Sequence, residues 1–490
     1  MRNVPNKTAL AAAVFAFVLS ACAIGPDHVR PSSLAVPEKF VEAGAIEPLM
    51  ATSAERNDQS DFWRRLGDAQ LTALVEQALL ANHDLRIALA NAERAQALQR
   101  GTRLDLLPTV TGDAQGSDVR ASADQQPGVA RADRDGRQYD AGIRAAWELD
   151  LFGRVRRQVE AGRAGTDAAN ADFRALQVAI VAEVARDYIE LRGLQEQLRV
   201  AQESAESQAE TLRLVEMGFQ AGRGTEFDTA RARALLAGTQ SRAPALEARI
   251  AITLHHLAVL IGQPPGAVTE ALKWREPLPA LPGVVDPGTP GDLLRRRPDV
   301  AAAEYRLHAA TARIGVAKAD FFPRFTLGGL IGSQAVDRDA LFGRDSETRL
   351  VALGVDWSFL DIGRVRARVA AADADAAAEL ARYEQTVLHA LADTEDALVR
   401  YGNARVEDEH LARAAGDSAR AAQLARIRYE NGATDLFEVL DAERSNLQAQ
   451  DALAQSRTRS LTGWVALYQA LAGGWPDTRP THTGVAARSP

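Results

Sequence analysis

The sequence has one cysteine, four lysines, few aromatic residues and no apolar run of membrane-spanning length beyond its first twenty residues. Each scarcity excludes something. One cysteine cannot form an internal disulfide, and a Cys-rich zinc or iron–sulfur site is ruled out. The lysines are Lys7, Lys39, Lys273 and Lys318, so arginine carries nearly all the positive charge. The net charge of −8 argues against a nucleic-acid partner, which would need a basic footprint. With no later run of about 18 apolar residues, any passage through a bilayer has to use a β-barrel. No lysine follows a glycine, which excludes a phosphate-binding P-loop, and neither Gly-x-Ser-x-Gly nor His-Glu-x-x-His occurs. His255 and His256 are adjacent on a helical stretch, point to different sides and make a poor metal pair. The chain therefore reads as neither an enzyme nor a cofactor protein.

What is present begins at the N-terminus. Arg2 and Lys7 precede an apolar run from Ala9 to Leu19, which ends in Leu19-Ser20-Ala21-Cys22. A charged start, a short apolar segment and small residues at its end make a secretory signal. Leu-Ser-Ala-Cys matches the bacterial lipobox, so cleavage before Cys22 and acylation of its thiol are expected. Ala23 lacks the acidic character of an inner-membrane retention signal, which favours the outer membrane. Several acyl chains would anchor the protein firmly.

The remainder is two copies of one unit. Trp147-Glu148-Leu149-Asp150-Leu151-Phe152-Gly153-Arg154 aligns with Trp357-Ser358-Phe359-Leu360-Asp361-Ile362-Gly363-Arg364 at an offset of 210. The same offset pairs Phe219-Gln220-Ala221-Gly222 with Tyr429-Glu430-Asn431-Gly432, and Phe227 with Phe437. Upstream, Asp105-Leu106-Leu107-Pro108 pairs with Asp320-Phe321-Phe322-Pro323 at an offset of 215. A surface loop between the proline and the tryptophan would absorb the difference. The divisions are a signal peptide (1–21), a lipidated tether (22–67), repeat one (68–262), a Pro-rich linker wrapped outside the helices (263–290), repeat two (291–472) and a disordered tail (473–490).

Each repeat reads helix, strand, loop, strand, long helix, turn, helix. Residues 84–107 and 298–320 are Ala-rich helices stopped by Pro108 and Pro323. Residues 152–216 and 362–428 lack internal proline, and a helix of that length is about 97 Å long. The return helices are expected at 225–261 and 434–471. Tyr139, Ala141, Ile143, Ala145, Trp147 and Leu149 share one strand face, as do Val351, Leu353, Val355, Trp357 and Phe359. Trp147 and Trp357 sit where an aromatic girdle would meet a bilayer interface. Four strands cannot close a barrel, for which about eight is the lower limit, so two, three or more subunits must share one.

These residues resemble the TolC-like outer-membrane efflux factors, specifically the NodT-type lipoprotein branch. The resemblance spans nearly the whole mature chain. It includes Gly25-Pro26-Asp27, Phe62-Trp63, Arg296-Arg297-Pro298-Asp299-Val300, Phe321-Phe322-Pro323, Trp357 to Arg364, and Arg428-Tyr429-Glu430-Asn431-Gly432 leading to Glu438-Val439-Leu440-Asp441-Ala442-Glu443. His28 departs from it, since the family often has Tyr there. The fold implied is an α+β membrane protein in which a long α-helical coiled-coil barrel continues into a trimeric 12-stranded β-barrel, four strands per chain. The implied partners are two further copies of the chain, a periplasmic adaptor, an inner-membrane pump of the RND type and outer-membrane lipid. The function implied is the exit duct of a tripartite efflux system; the alternatives are a type I protein-secretion exit channel and a poreless periplasmic coiled-coil lipoprotein.

The turns at 217–226 and 429–435 lie at the far end of the long helices from the strands. Gly222 and Gly432 suit the left-handed position that ends a helix. With Gly224 and Thr434 they are the expected adaptor contacts. After the second turn Glu438, Asp441 and a third candidate, Asp435, are spaced three apart on one helix face. The family resemblance implies an acidic constriction at Asp441, with Glu438 and Phe437 contributing. Arg231 occupies the place of Asp441 in the first repeat, so the two tips are not equivalent. Like charges brought together would oppose closure unless Arg444 or another cation pairs with them, and contacts between helices around Tyr429 and Arg444 are expected to hold the gate shut.

Overall fold

The computed structural model describes residues 23–31, 36–45, 62–282 and 287–472. The expected signal peptide, Cys22 and the C-terminal tail lie outside the described residues. Repeat one contains α1 (Ala69–Ala81), α2 (His83–Leu104), β1 (Thr109–Arg120), β2 (Asp135–Leu149), α3 (Arg154–Gln220), α4 (Glu226–Gln240) and α5 (Arg242–Leu260). A one-turn helix, α6 (Thr269–Leu272), follows in the linker. Repeat two contains α7 (Pro290–Arg296), α8 (Pro298–Ala319), β3 (Arg324–Ala335), β4 (Glu347–Asp356), α9 (Ile362–Glu430) and α10 (Leu436–Ala470). α3 and α9 run for 67 and 69 residues without a break, as their proline-free, alanine-rich sequences require.

Four expectations need correction. The return helix of repeat one is interrupted at Ser241, whereas α10 is continuous. Pro244 explains this: without an N–H it cannot bond the carbonyl four residues earlier, and its ring crowds that turn. β4 ends at Asp356, so Trp357 and Phe359 lie beyond the strand, and Phe359–Asp361 forms a 3-10 turn. The linker is not uniformly irregular, since α6 buries Leu272 beside a buried Val268. The end of the supposed tether is core: Phe62 and Trp63, on a 3-10 turn, are 0% and 1% exposed.

The strands form one antiparallel sheet in the order β1-β2-β3-β4. β2 pairs with β3, which joins the repeats. The register carries one apolar face across all four strands: Val110, Ala145, Gly329 and Val351 align, as do Trp147, Leu327 and Leu353. Val110, Ile143, Ile331, Val351, Leu353 and Val355 on that face are exposed. The opposite face bears Thr111, Asp113, Gln115, Asp140 and Arg144, with Arg144 and Asp113 paired at 3.0 Å. Among the described residues, the outer edges of β1 and β4 have no strand partner. No described helix is long and apolar enough to cross a membrane.

The chain separates into two compact units, each drawing on both repeats. One comprises the described parts of Met1–Ser32, Ala92–Ala169 and Ala302–Glu384, and includes the sheet. In it the Trp147 indole donates to the Leu106 carbonyl, and the Trp357 indole to the Phe321 carbonyl, each at 3.0 Å. The acceptors are equivalent residues of the two Asp-x-x-Pro turns, so the geometry repeats although the spacing differs by five. Asp150 caps α3 by accepting from the backbone N–H groups of Val155 and Arg156.

The other unit comprises Ser33–Asn91, Asn170–Ala301 and the chain from Gln385 on, and contains the large hydrophobic core. Phe62 stacks on Tyr468 at 5.2 Å, and Trp464 lies against both rings. Tyr188 donates to Asp68, the N-cap of α1, at 2.7 Å. Burial, with the Asp68 carboxylate beside it, pushes the Tyr188 phenol well above its ordinary value. The fully buried Arg192 fixes the linker by donating to the Trp274 carbonyl at 2.8 Å, and Gln195 donates to the Leu272 carbonyl at 2.8 Å.

Candidate functional site

The two tip turns lie in the second unit and are built alike. In the first, the Gly222 N–H donates to Phe219 O at 2.9 Å and the Arg223 N–H to Gly218 O at 2.9 Å. In the second, Gly432 donates to Tyr429 O at 2.9 Å and Ala433 to Arg428 O at 2.8 Å. These nested bonds satisfy the last carbonyls of α3 and α9 and place the glycines at φ +73° and +71°. Each turn then supplies a cap for the next helix at the same repeat position. Thr225 caps α4 with reciprocal bonds to Asp228, and Asp435 caps α10 by accepting from the Glu438 N–H at 3.1 Å. The Thr225 hydroxyl hydrogen bond holds the Asp228 carboxyl below its ordinary value.

Four helices meet behind the turns. Val215 of α3, Ala232 of α4, and Leu436 and Leu440 of α10 are buried together, with Leu212, Leu235 and Tyr429 of α9 packed against them. Burial, and the nearby charge of Asp228, push the Tyr429 phenol above its ordinary value. In front, Phe227 and Phe437 are 66% and 55% exposed, far more than large aromatics usually are. The Arg231 guanidinium carbon lies 5.4 Å from the Phe227 ring centre and 4.9 Å from that of Phe437. One cation thus contacts the equivalent aromatics of both repeats.

The acidic residues are not a uniform set. Asp441 pairs with Arg444 at 2.5 Å, one turn along the same helix. Glu438 accepts from the Thr434 hydroxyl and lies 3.6 Å from Arg428. Asp435 serves as a helix cap through one carboxylate oxygen and stays three residues before Glu438. Tyr429 makes a contact between helices, whereas the ion pair of Arg444 stays within α10. A Cβ at Gly224 would lie 3.4 Å from the Phe219 backbone nitrogen. Trp147 and Trp357 belong to the other unit, 37% and 52% exposed at the strand ends. Among the described residues, no cluster of three His, Cys, Asp or Glu could hold a metal, and His256 lies 2.5 Å from Asp187.

Sequence reading missed the Arg231 contact. It registered Arg231 as the counterpart of Asp441, yet the signal for its role was present: Phe227 lies four residues before it, on the same helix face. Nothing in the sequence signalled the Arg426–Glu443 pair on α9 and α10, 2.6 Å apart, with Glu443 buried.

The family described as outer membrane efflux protein matches residues 74–263 and 289–473. The pyoverdine export outer membrane protein OpmQ of Pseudomonas putida is 33% identical over 440 residues, 88% of this chain and 92% of that one. Nodulation protein T of Rhizobium leguminosarum is 31% identical, covering 95% and 93%. The solved structure of the outer-membrane channel OprN is 41% identical with a TM-score of 0.86, covering 93% of this chain and all of that one.

Proposed function

Since the chain belongs to the outer membrane efflux protein family, we propose that it forms the exit duct of a three-part export system. Three copies assemble, an inner-membrane pump of the RND type drives transport, and a periplasmic adaptor docks at the tip turns around Gly222, Gly224, Gly432 and Thr434. Acyl groups on Cys22 anchor the chain in the outer membrane. The duct passes small molecules passively, and selectivity belongs to the pump.

One observation carries the assembly: among the described residues the sheet has four strands, an apolar exposed face and two edges without a strand partner. In lipid each edge must find a strand, and the β1 edge of one copy can meet the β4 edge of the next. Three copies supply 12 strands, above the lower limit of about eight. Asp441, Glu438 and Phe437 then recur three times around the inner end and form the gate.

The test is reconstitution of the acylated protein. A heat-modifiable trimer that conducts ions in planar bilayers is expected; a non-conducting monomer refutes the duct. Asp441→Ala should change conductance or cation sensitivity, and unaltered values would remove Asp441 from the gate. Co-purification of a secretion ATPase in place of a proton-driven pump would redirect the reading to protein secretion.

A further inference from the structure

The exit-duct reading makes no use of a half-buried ion pair in the wall behind the tip. Arg426 on α9 and Glu443 on α10 are 2.6 Å apart, and Glu443 is 6% exposed. The same Glu443 oxygen accepts from the Thr211 hydroxyl of α3 at 2.7 Å. Arg426 also donates to the Ser207 carbonyl at 3.2 Å and to the Ser207 hydroxyl. One charge pair therefore ties the first-repeat long helix to both second-repeat helices. Arg426 lies one turn before Tyr429, and Glu443 follows Asp441 on α10, so the pair acts on the segments that carry the gate.

Beside the pair is a polar cavity of about 430 Å³, lined by Ser204, Gln208, Gln423, Glu443, Asn446 and Gln450 among others. Both amide atoms of Gln208, the second carboxylate oxygen of Glu443 and the Asn446 carbonyl oxygen are buried there and meet no protein hydrogen-bond partner. Gln208 is 2% exposed. Buried polar atoms are normally hydrogen-bonded, either to protein or to ordered water. The cavity is roomy and polar enough for several water molecules, each needing about 30 Å³. A polar seam of this kind can exchange partners as helices shift, which a dry apolar seam cannot do.

We propose that Arg426–Glu443 is a latch that positions α9 and α10 against α3, and that the adjoining polar cavity is the space in which these helices re-pack as the inner end opens. Arg426 and Glu443 are positioning residues: they set the resting closure of the gate without lining it. The proposal rests on the exit-duct reading. It adds a place where closure is set, behind Asp441 and distinct from it.

The experiment compares the full acylated trimer in planar bilayers as parent, Glu443→Gln, Arg426→Gln and the charge-exchanged double variant Arg426→Glu with Glu443→Arg. Each single variant should raise the open-to-closed ratio by about tenfold, within the range for interacting groups that stabilise one of two states. The exchange should return the ratio towards the parent value, which a purely structural role would not require. Parent-like gating in both single variants overturns the latch, as does a leak that the exchange leaves in place. If Glu443→Gln does not assemble, Thr211→Val decides. It removes only the hydroxyl that Glu443 accepts from, so it should give a smaller rise, and a parent-like ratio overturns the proposal. A parent trimer that conducts nothing would refute the duct itself, a separate outcome.

Discussion

Gly432→Ala should loosen the second tip turn through backbone conformation alone. Gly432 sits at φ +71°, and a Cβ built there meets nothing within 4 Å. No steric clash contributes, so the cost is that of placing an L-residue in the left-handed region, about 1–2 kcal/mol. Gly262 gives the contrast. Its φ is nearly the same, +73°, but its Cβ would lie 2.5 Å from the Ala81 carbonyl oxygen. Gly262→Ala therefore carries the same backbone cost plus a collision with main chain that cannot rotate away. Hydrogen exchange followed by mass spectrometry on the solubilised trimer reads both. For Gly432→Ala, protection across 428–436 should fall about 5- to 30-fold, the factor that 1–2 kcal/mol gives, with no change elsewhere. Gly262→Ala should lose more, and the loss should reach residues 78–85. Gly432→Asn should lose less than Ala, because Asn tolerates the left-handed region. Unchanged protection in Gly432→Ala, or a Gly262→Ala loss no greater than that of Gly432→Ala, would refute the reasoning.

Arg231→Gln removes a cation lying 4.9 and 5.4 Å from two exposed rings, contacts worth about 0.5–1 kcal/mol each. In a double-mutant cycle with Phe437→Leu, read by exchange across 225–231 and 435–441, the two effects should be non-additive; strict additivity would mean the ring contact stabilises nothing. Asp228 makes the start of α4 acid-sensitive. Its carboxyl is held below the ordinary 3.8, so its contribution is complete above that value and is lost as pH falls through the lower folded value. Exchange at 225–229 should accelerate over that acid window in the parent and not in Asp228→Asn; equal acid sensitivity in both would assign the effect elsewhere. Trp147→Phe and Trp357→Phe each delete one indole-to-carbonyl bond worth about 0.5–1.5 kcal/mol. Both should lower the trimer's heat-dissociation temperature to a similar degree, and a shift in only one would break the equivalence of the repeats.

Much of the architecture was legible because it is encoded locally. The alternation at Tyr139 to Leu149 and Val351 to Val355 gave the strands and their apolar face. Pro108 and Pro323 marked where α2 and α8 must stop. Gly222 and Gly432 marked the turns, and the structure gives both the same nested bonds. The misreadings were also local, and each has a physical cause. Pro244 breaks the first return helix because it has no N–H. Trp357 continued the alternation of β4 in sequence, yet the chain had already turned at Asp356 to enter α9.

The candidate site was legible in outline only. Tyr429 and Asp441 could be located in sequence with Arg444 as a candidate partner cation, but the charge of Asp228 beside Tyr429 could not. Asp435 matched a row of acids at helical spacing, and the structure adds that it caps α10. Arg444 was a candidate cation for the acidic residues, and it pairs with Asp441 on its own helix.

By itself the sequence determined the repeat, the two-faced strands, the length of the helices and the chemistry of the turns. These follow from periodicity and from residues within a few positions of one another. Only the tertiary structure decided that Arg231 contacts both Phe227 and Phe437, that Arg192 fixes the linker carbonyl of Trp274, and that Glu443 is buried against Arg426 and Thr211. These contacts depend on how far each helix is rotated about its own axis. A rotation of 100° separates successive residues, so a small change in packing would bring a different side chain to the seam.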